Sequence, residues 1–150
     1  MSRTLASGKK ASKWVIFEKR FVVPDYDNPK EPSRIRWRLF SCPYFGIYLH
    51  RWFKPDPRQT PHNHPWPFVS VILFGTYFEK RINGDRWVRW FNIVRRNDFH
   101  TVSKVASNTW SLMFVGRDHG TWGYLDPDYV PFEKHLHNEE FKKALAIRLQ

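Results

Sequence analysis

Short segments with the composition and alternation of β-strands follow one another through most of the 150-residue chain, and turn residues separate them. Asn83-Gly84, a dipeptide typical of a two-residue hairpin, separates two of these segments. A series of short strands of this kind predicts an all-β fold, either a sandwich or a barrel. The predicted strands span 14–23, 34–40, 45–53, 68–74, 76–81, 86–94, 98–105, 109–115 and 121–125.

One segment, 138–150, has a helical pattern instead. Its apolar side chains recur at helical spacing, and Asn138 is placed to cap a first turn that contains Glu139 and Glu140. We therefore predict a single α-helix at the C-terminal end of the chain, packed outside the strands.

The segment 34–40 alternates between basic and apolar side chains, which is typical of a half-buried strand. Its arginines would point one way and its apolar residues the other. We interpret the arginines as part of a solvated outer face. The alternating side chains are Arg34, Arg36 and Arg38 on one face and Ile35, Trp37 and Leu39 on the other.

Composition limits the classes of protein that remain. Aromatic residues make up 18% of the chain, which is too many for a disordered protein. We predict a flexible basic tail over 1–13 and one domain over 14–150. The single cysteine, Cys42, excludes an internal disulfide and favours a cytoplasmic protein, and no segment has the length of a membrane span. The net charge of +11 makes nucleic acid a possible partner.

Two histidines, His62 and His64, precede the apolar strand 68–74 and lie one residue apart. If the strand continues back to them without a bulge, they share its inward face with Phe68 and Ser70. Two imidazoles that converge on one point inside a barrel are suited to a metal ion.

The register of these histidines resembles the first motif of the cupin superfamily, which has Gly, five residues, His-x-His, three or four residues, Glu, six residues and Gly. His62, His64 and Gly75 match it, whereas Asp56 stands at the first glycine and Phe68 at the glutamate.

The second cupin motif is also matched in part. His100 stands at its histidine, Asn97 at its glycine, Arg95 at its proline and Lys104 at its asparagine. The resemblance covers about residues 45–115 and implies an antiparallel double-stranded β-helix, the cupin or jelly-roll barrel.

The resemblance implies a metal site formed by His62, His64 and His100 without a glutamate. Such a site is similar to the three-histidine iron site of the thiol dioxygenase branch of cupins. One divalent transition metal is expected, with Fe(II) favoured and Zn, Ni or Mn as alternatives. The implied function is a dioxygenase that acts on a small anionic substrate. A ligand-binding cupin without turnover, or a nucleic-acid-binding or protein-binding module, remains an alternative.

Several further side chains are candidates for the pocket around this site. Glu79 and Asp98 were each considered as a fourth metal ligand, and Asp98 alternatively as a turn residue or as a hydrogen-bond partner that orients a ligand. We expect His119, His135 and His137 to lie in loops or at the surface. The pocket candidates are Trp66, Phe68, Ser70, His50, Tyr48, Tyr77 and Asp98.

The strand 68–74 is apolar on both faces. If Phe68, Ser70 and Ile72 point inward, then Val69 and Val71 point outward, and a face exposed to water would carry polar residues instead. The N-terminal strand, the C-terminal helix or a second copy of the chain would cover that face. We expect the second copy, in a homodimer.

Overall fold

The computed structural model describes residues 14–21, 31–56, 59–135, 139 and 143. Within these residues the chain forms short antiparallel strands and one 3-10 turn, Phe132–Lys134. The strands are β1 (Val15–Phe21), β2 (Arg34–Ser41), β3 (Gly46–Trp52), β4 (Phe68–Phe74), β5 (Tyr77–Arg81), β6 (Arg86–Val88), β7 (Phe91–Val94), β8 (His100–Val105), β9 (Thr109–Val115), β10 (Gly123–Leu125) and β11 (Tyr129–Pro131).

The strands form two layers. One layer is a six-stranded sheet in the order β1-β2-β3-β9-β4-β7. The other contains a three-stranded sheet, β6-β5-β8, and a two-stranded sheet, β10-β11. His62 joins these two smaller sheets through isolated antiparallel bridges to His100 and to Tyr124. The barrel predicted from the sequence is therefore present, and the two histidine motifs meet in its second layer.

The core lies between the layers. One buried cluster combines Trp52 and Ile72 of the six-stranded sheet with Tyr77 and Val102 of the three-stranded sheet. A second cluster is formed by residues of the six-stranded sheet, among them Tyr48, Phe68 and Met113, with Trp66 packed against it.

The chain changes sheets twice around β5. Gly75, with φ of 74°, turns the chain from β4 into β5, and a Cβ at this position would clash with the Thr109 hydroxyl. The segment 86–94, predicted as one strand, is two strands: β6 pairs with β5 in one layer, and β7 pairs with β4 in the other. The sequence of this segment contains no glycine or proline to signal the break between them.

The interpretation of the β2 arginines as an outer face is wrong. Arg34, Arg36 and Arg38 lie opposite Trp52, His50 and Tyr48 of β3, all three of which are buried. Alternation separates the two faces of a strand but does not identify the inner one. The arginine face lies inside because neighbouring side chains balance the charge, Asp56 for Arg34 and Glu18 for Arg38, at 3.2 Å and 3.1 Å.

The inward and outward positions predicted for β4 are confirmed. Phe68, Ser70 and Ile72 are buried, whereas Val69 and Val71 are 38% and 36% exposed. Apolar side chains on the flanking strands extend this outer face. The cross-strand neighbours of Val69 are Phe114 and Ile93, and those of Val71 are Leu112 and Phe91.

Two predicted segments lie outside the described residues. They are the basic tail over 1–13 and most of the C-terminal helix over 138–150, where Glu139 and Lys143 alone are described. No α-helical element is defined in the part of the chain that the structure describes. No helix among these residues has the length and apolar character needed to cross a membrane.

We propose that a second copy of the chain covers the apolar outer face of the six-stranded sheet, because a contiguous exposed apolar surface is unusual on a monomer. Light scattering in moderate salt, which screens the net charge, is expected to give twice the chain mass of 18.2 kDa. Val71→Lys should shift the protein to monomer. Ile82→Lys, at an exposed apolar residue in the β5–β6 turn, should not. A mass of one chain at all concentrations would contradict the dimer.

Candidate metal centre

Three histidine side chains converge in the barrel. One ring nitrogen of each of His62, His64 and His100 lies within 4.8 Å of the others. The Nε2 atoms of His64 and His100 are 2.9 Å apart. The sequence prediction that the two motifs bring these three residues together is confirmed.

The segment between β3 and β4 is fixed at both of its ends. Asp56 is buried, and its Oδ2 accepts the backbone N–H of Val102 at 2.8 Å while its Oδ1 accepts Arg34 at 3.2 Å. Asn63, between the two histidines, accepts the backbone N–H of Gly123 at 2.8 Å. These bonds tie the histidine segment to β2, β8 and β10, so His62 and His64 point toward the same side.

Glu79 fixes the orientation of His100. Its Oε1 lies 2.6 Å from His100 Nδ1, and a carboxylate at this distance accepts the Nδ1 proton. The lone pair of a neutral His100 is then on Nε2, which faces His64. Such a carboxylate behind a histidine is the usual partner of a metal-binding imidazole.

His62 has an equivalent arrangement. Its Nδ1 lies 3.2 Å from the carbonyl oxygen of Thr60, so Nδ1 carries the proton and Nε2 carries the lone pair. Burial lowers the pKa of His62 to about 4, against the opposing effect of Asp56. Burial, followed by the other two histidines, lowers the pKa of His64 well below its usual value. Both rings are therefore neutral at pH 7, as metal ligands must be.

Glu79 is the centre of a buried polar network. The side chain is fully buried. In addition to the hydrogen bond from His100, it accepts hydrogen bonds from Arg81 at 2.7 Å, Arg86 at 3.2 Å and Asn92 at 2.9 Å. Burial raises the pKa of Glu79, but the hydrogen bonds from His100 and Arg81 outweigh burial and bring the pKa to about 2. The carboxylate is thus ionised at neutral pH and remains an acceptor.

Comparison with solved structures identifies the fold. A cupin-superfamily sugar phosphate isomerase from Silicibacter pomeroyi is 16% identical, and the match covers 77% of this chain and 87% of that one with a TM-score of 0.54. The polyketide cyclase RemF from Streptomyces resistomycificus is 11% identical, with 83% and 86% covered and a TM-score of 0.55. The chain has a cupin fold.

A structure of FeII HppE is also similar, at 12% identity and a TM-score of 0.52, and the match covers 67% of this chain and 56% of that one. No protein-family model and no curated protein matches the sequence. At these identities the comparisons establish the cupin fold alone.

The departures from the cupin motifs have visible structural consequences. Phe68, at the position of the motif glutamate, places its ring edge-on to His64 with 5.2 Å between ring centroids, and adds no oxygen ligand. Asp56, at the position of the first motif glycine, holds Val102 and Arg34 as described above. The histidine cluster therefore contains nitrogen donors alone among the described residues.

Asp98 has the turn role that was considered for it, whereas Glu79 has the orienting role that was considered for Asp98. Asp98 accepts the backbone N–H of Arg95 at 2.8 Å, so it stabilises the turn before β8 and lies outside the cluster. Glu79 is the residue that orients His100. The sequence could not assign this role, because Glu79 and His100 are 21 residues apart and meet only through the pairing of β5 with β8.

The other candidates line the barrel or support the site. Tyr48, His50, Ser70 and Tyr77 are buried, and Trp66 packs against the Tyr48 and Phe68 cluster. The Tyr77 hydroxyl accepts Asn92 at 2.9 Å and so joins the Glu79 network.

The predictions for the remaining histidines have different outcomes. His119 is exposed in a loop, as predicted. The prediction of a surface position for His135 is wrong: this side chain is 7% exposed, stacks on Tyr124 at 4.3 Å, and lies 2.9 Å from Asp126. His137 lies outside the described residues.

We predict that Glu79→Gln lowers metal affinity by about 10- to 100-fold, because the amide cannot hold the His100 proton as a carboxylate does. Asp118→Asn is the matched control, because the Asp118 carboxylate accepts the backbone N–H of Gly120 and lies outside the histidine cluster. Titration of metal-free protein with Zn(II) or Fe(II) measures both affinities. Equal affinities for Glu79→Gln and the unmodified protein would show that the carboxylate does not support a ligand.

Proposed function

We propose that the protein is a metal-dependent enzyme, a non-haem iron dioxygenase that acts on a small anionic substrate. The proposal depends on one observation: His62, His64 and His100 converge, and the cluster contains no carboxylate among the described residues. Three neutral imidazoles leave the +2 charge of the ion uncompensated, so an anionic ligand is favoured there. They also leave up to three coordination positions open on one side.

The donor set fits such an ion. His62 and His100 each have the ring nitrogen away from the cluster engaged, by Thr60 and Glu79, which leaves Nε2 available. When bound there, Fe(II) would supply redox chemistry with O2 and a Lewis acid for the substrate. The protein contributes the orientation of the three rings, the proton held on His100 Nδ1, and apolar side chains that exclude water.

Those apolar side chains are Phe68 and Trp66. The Phe68 ring lies beside His64 and, at 6.0 Å, beside His100. Trp66 packs against the buried apolar cluster that contains Phe68 and Tyr48. A site with apolar walls strengthens the electrostatic attraction between a cation and an anionic substrate, because less water screens their charges.

We predict that protein purified without chelators or an affinity metal contains about one divalent transition metal per chain, with iron favoured. The triple variant with alanine at 62, 64 and 100 should lose it, whereas His119→Ala should retain it. Elemental analysis measures the metal content. Unchanged metal content in the triple variant would contradict the site.

Oxygen uptake then tests turnover. Fe(II)-loaded protein is expected to consume O2 with at least one member of a panel of mercapto-, hydroxy- and amino-carboxylates, and the triple variant is not. Stoichiometric metal without O2 uptake across the panel would favour a ligand-binding cupin without turnover.

A second candidate function, binding of single-stranded nucleic acid, is favoured by one surface. A groove of about 230 Å³ is lined by Arg86, Trp87, Val88, Arg89, Trp90 and Phe91. Trp87 and Trp90 are 47% and 79% exposed. These exposed rings can stack on bases while Arg89 between them contacts a phosphate, and the net charge of +11 also favours a polyanion.

We predict that Trp90→Ala weakens binding of a single-stranded oligonucleotide by about tenfold, the loss of one stacked base. Tyr44→Ala, which removes an equally exposed ring from the β2–β3 turn, should have no effect. Fluorescence anisotropy at several salt concentrations measures both variants. Binding that is absent at low salt, or equal in the two variants, would exclude this surface as a nucleic-acid site.

A further inference from the structure

The inner faces of β2 and β3 bring together three arginines and a histidine, which we call the inner arginine face and define as Arg34, Arg36, Arg38 and His50. Arg34 and Arg38 are only 13% and 14% exposed. The guanidinium of Arg34 lies 4.4 Å from the Trp52 ring centroid, and that of Arg36 lies 5.0 Å from the Tyr48 ring centroid. Aromatic surfaces therefore hold these side chains inside the barrel.

The tautomer of His50 follows from its contact with Arg36. Arg36 Nε–H donates to His50 Nε2 at 2.7 Å, so Nε2 carries the lone pair. Burial, together with the nearby charges of Arg36 and Arg34, lowers the pKa of His50 well below its usual value, so the ring is neutral. The proton of His50 is consequently on Nδ1, which is a hydrogen-bond donor.

This donor has no acceptor in the part of the chain that the structure describes, although His50 is only 2% exposed. A buried polar group left without a partner destabilises the fold, and in folded proteins it usually marks a bound water or ligand. His50 lies opposite Ser111 on β9, whose hydroxyl already accepts Trp52 Nε1 at 3.1 Å.

Other buried side-chain nitrogens without a partner are of the same kind. Arg34 Nε, Arg38 Nε and Trp66 Nε1 are all donors without a partner among the described residues. Two more such atoms lie elsewhere: Arg51 Nε is on the opposite face of β3, and Thr101 Oγ1 is a hydroxyl on β8 that both donates and accepts. This part of the interior is therefore short of hydrogen-bond acceptors.

The inner arginine face and the histidine cluster border the same interior. Tyr48, which lies under Arg36, belongs to the same buried cluster as Phe68, and the Phe68 ring contacts both His64 and His100. One small molecule between them would face three histidines at one end and donors at the other.

We propose that the inner arginine face binds an oxyanion group of a small ligand whose second anionic group occupies the histidine metal centre. The ligand is thus a compact dianion, with carboxylate or phosphonate at the inner end, because these groups supply acceptors and negative charge together. The bridging arrangement rests on the proposed metal function, whereas the oxyanion subsite itself does not.

Isothermal titration calorimetry under argon tests the subsite. The probes are succinate, butyrate as its single-carboxylate counterpart, and 3-phosphonopropionate, and the protein is used both Fe(II)-loaded and metal-free. We expect Fe(II)-loaded protein to bind succinate at least about tenfold more tightly than butyrate, the effect of one charge-assisted hydrogen bond. Tighter binding of 3-phosphonopropionate than of succinate would identify phosphonate as the preferred inner group.

Variants locate the effect. His50→Leu should abolish the preference for succinate, and His50→Gln, which keeps an amide donor, should restore part of it. Arg51→Leu is the matched control, because Arg51 follows His50 on β3 but lies on the opposite face, over the Phe53 and Trp110 rings. An equal loss in Arg51→Leu and His50→Leu would overturn the assignment.

The metal-free protein separates this proposal from the metal function. Weak succinate binding that requires His50 in metal-free protein supports the subsite even if no metal is found. Normal Fe(II) binding with equal affinity for succinate and butyrate overturns the subsite and leaves the metal centre intact. If His50→Leu does not fold, the ¹⁵N chemical shift of His50 Nδ1 is measured in the unmodified protein instead. Succinate should change this shift if it binds at the subsite, and an unchanged shift would overturn the subsite.

Discussion

The buried carboxylate of Glu79 is the interaction on which the rest of this structure depends. It accepts hydrogen bonds from Arg81 on its own strand, from Arg86 on β6, from Asn92 on β7 and from His100 on β8. Because β7 belongs to the six-stranded sheet and β5, β6 and β8 to the other layer, one side chain connects both layers of the barrel. An ionised carboxylate in the interior is stable only with such a set of donors.

The same network connects the architecture to the chemistry. The hydrogen bond from His100 to Glu79 leaves the lone pair of His100 on the nitrogen that faces the histidine cluster. The turn at Gly75 carries the chain from β4, next to the histidine segment, into β5, where Glu79 lies. The position of the histidine cluster is thus a consequence of where the chain passes between the two layers.

The molecule also has an unusual distribution of polarity. Its interior contains three arginines beside a row of aromatic rings, whereas the outer face of the six-stranded sheet contains valine, isoleucine, leucine and phenylalanine. Cation–π contacts and two ion pairs hold the arginines inside. The apolar outer face and the arginines in the interior are the observations behind our proposals of self-association and of anion binding.

The sequence predicted those features that depend on motif register and strand parity. The resemblance of His62, His64, Gly75 and His100 to the cupin motifs led to the histidine cluster, and the parity that β4 shares with His62 and His64 led to its inward and outward faces. Features that depend on contacts between distant residues were not predicted: the inward direction of Arg34, the role of Glu79 behind His100, and the break of 86–94 into two strands. In each case the deciding contact joins residues in different strands, which residue spacing alone does not specify.

The central claim is that His62, His64 and His100 bind one metal ion together. Anomalous diffraction from crystals of the metal-loaded protein, recorded on both sides of the absorption edge of the metal, tests this claim most directly. We predict a single anomalous peak about 2.0–2.2 Å from one nitrogen of each ring, the bond length of a metal bound by imidazole. A peak bound by other residues, or no peak between the three rings of a protein shown to contain metal, would contradict it.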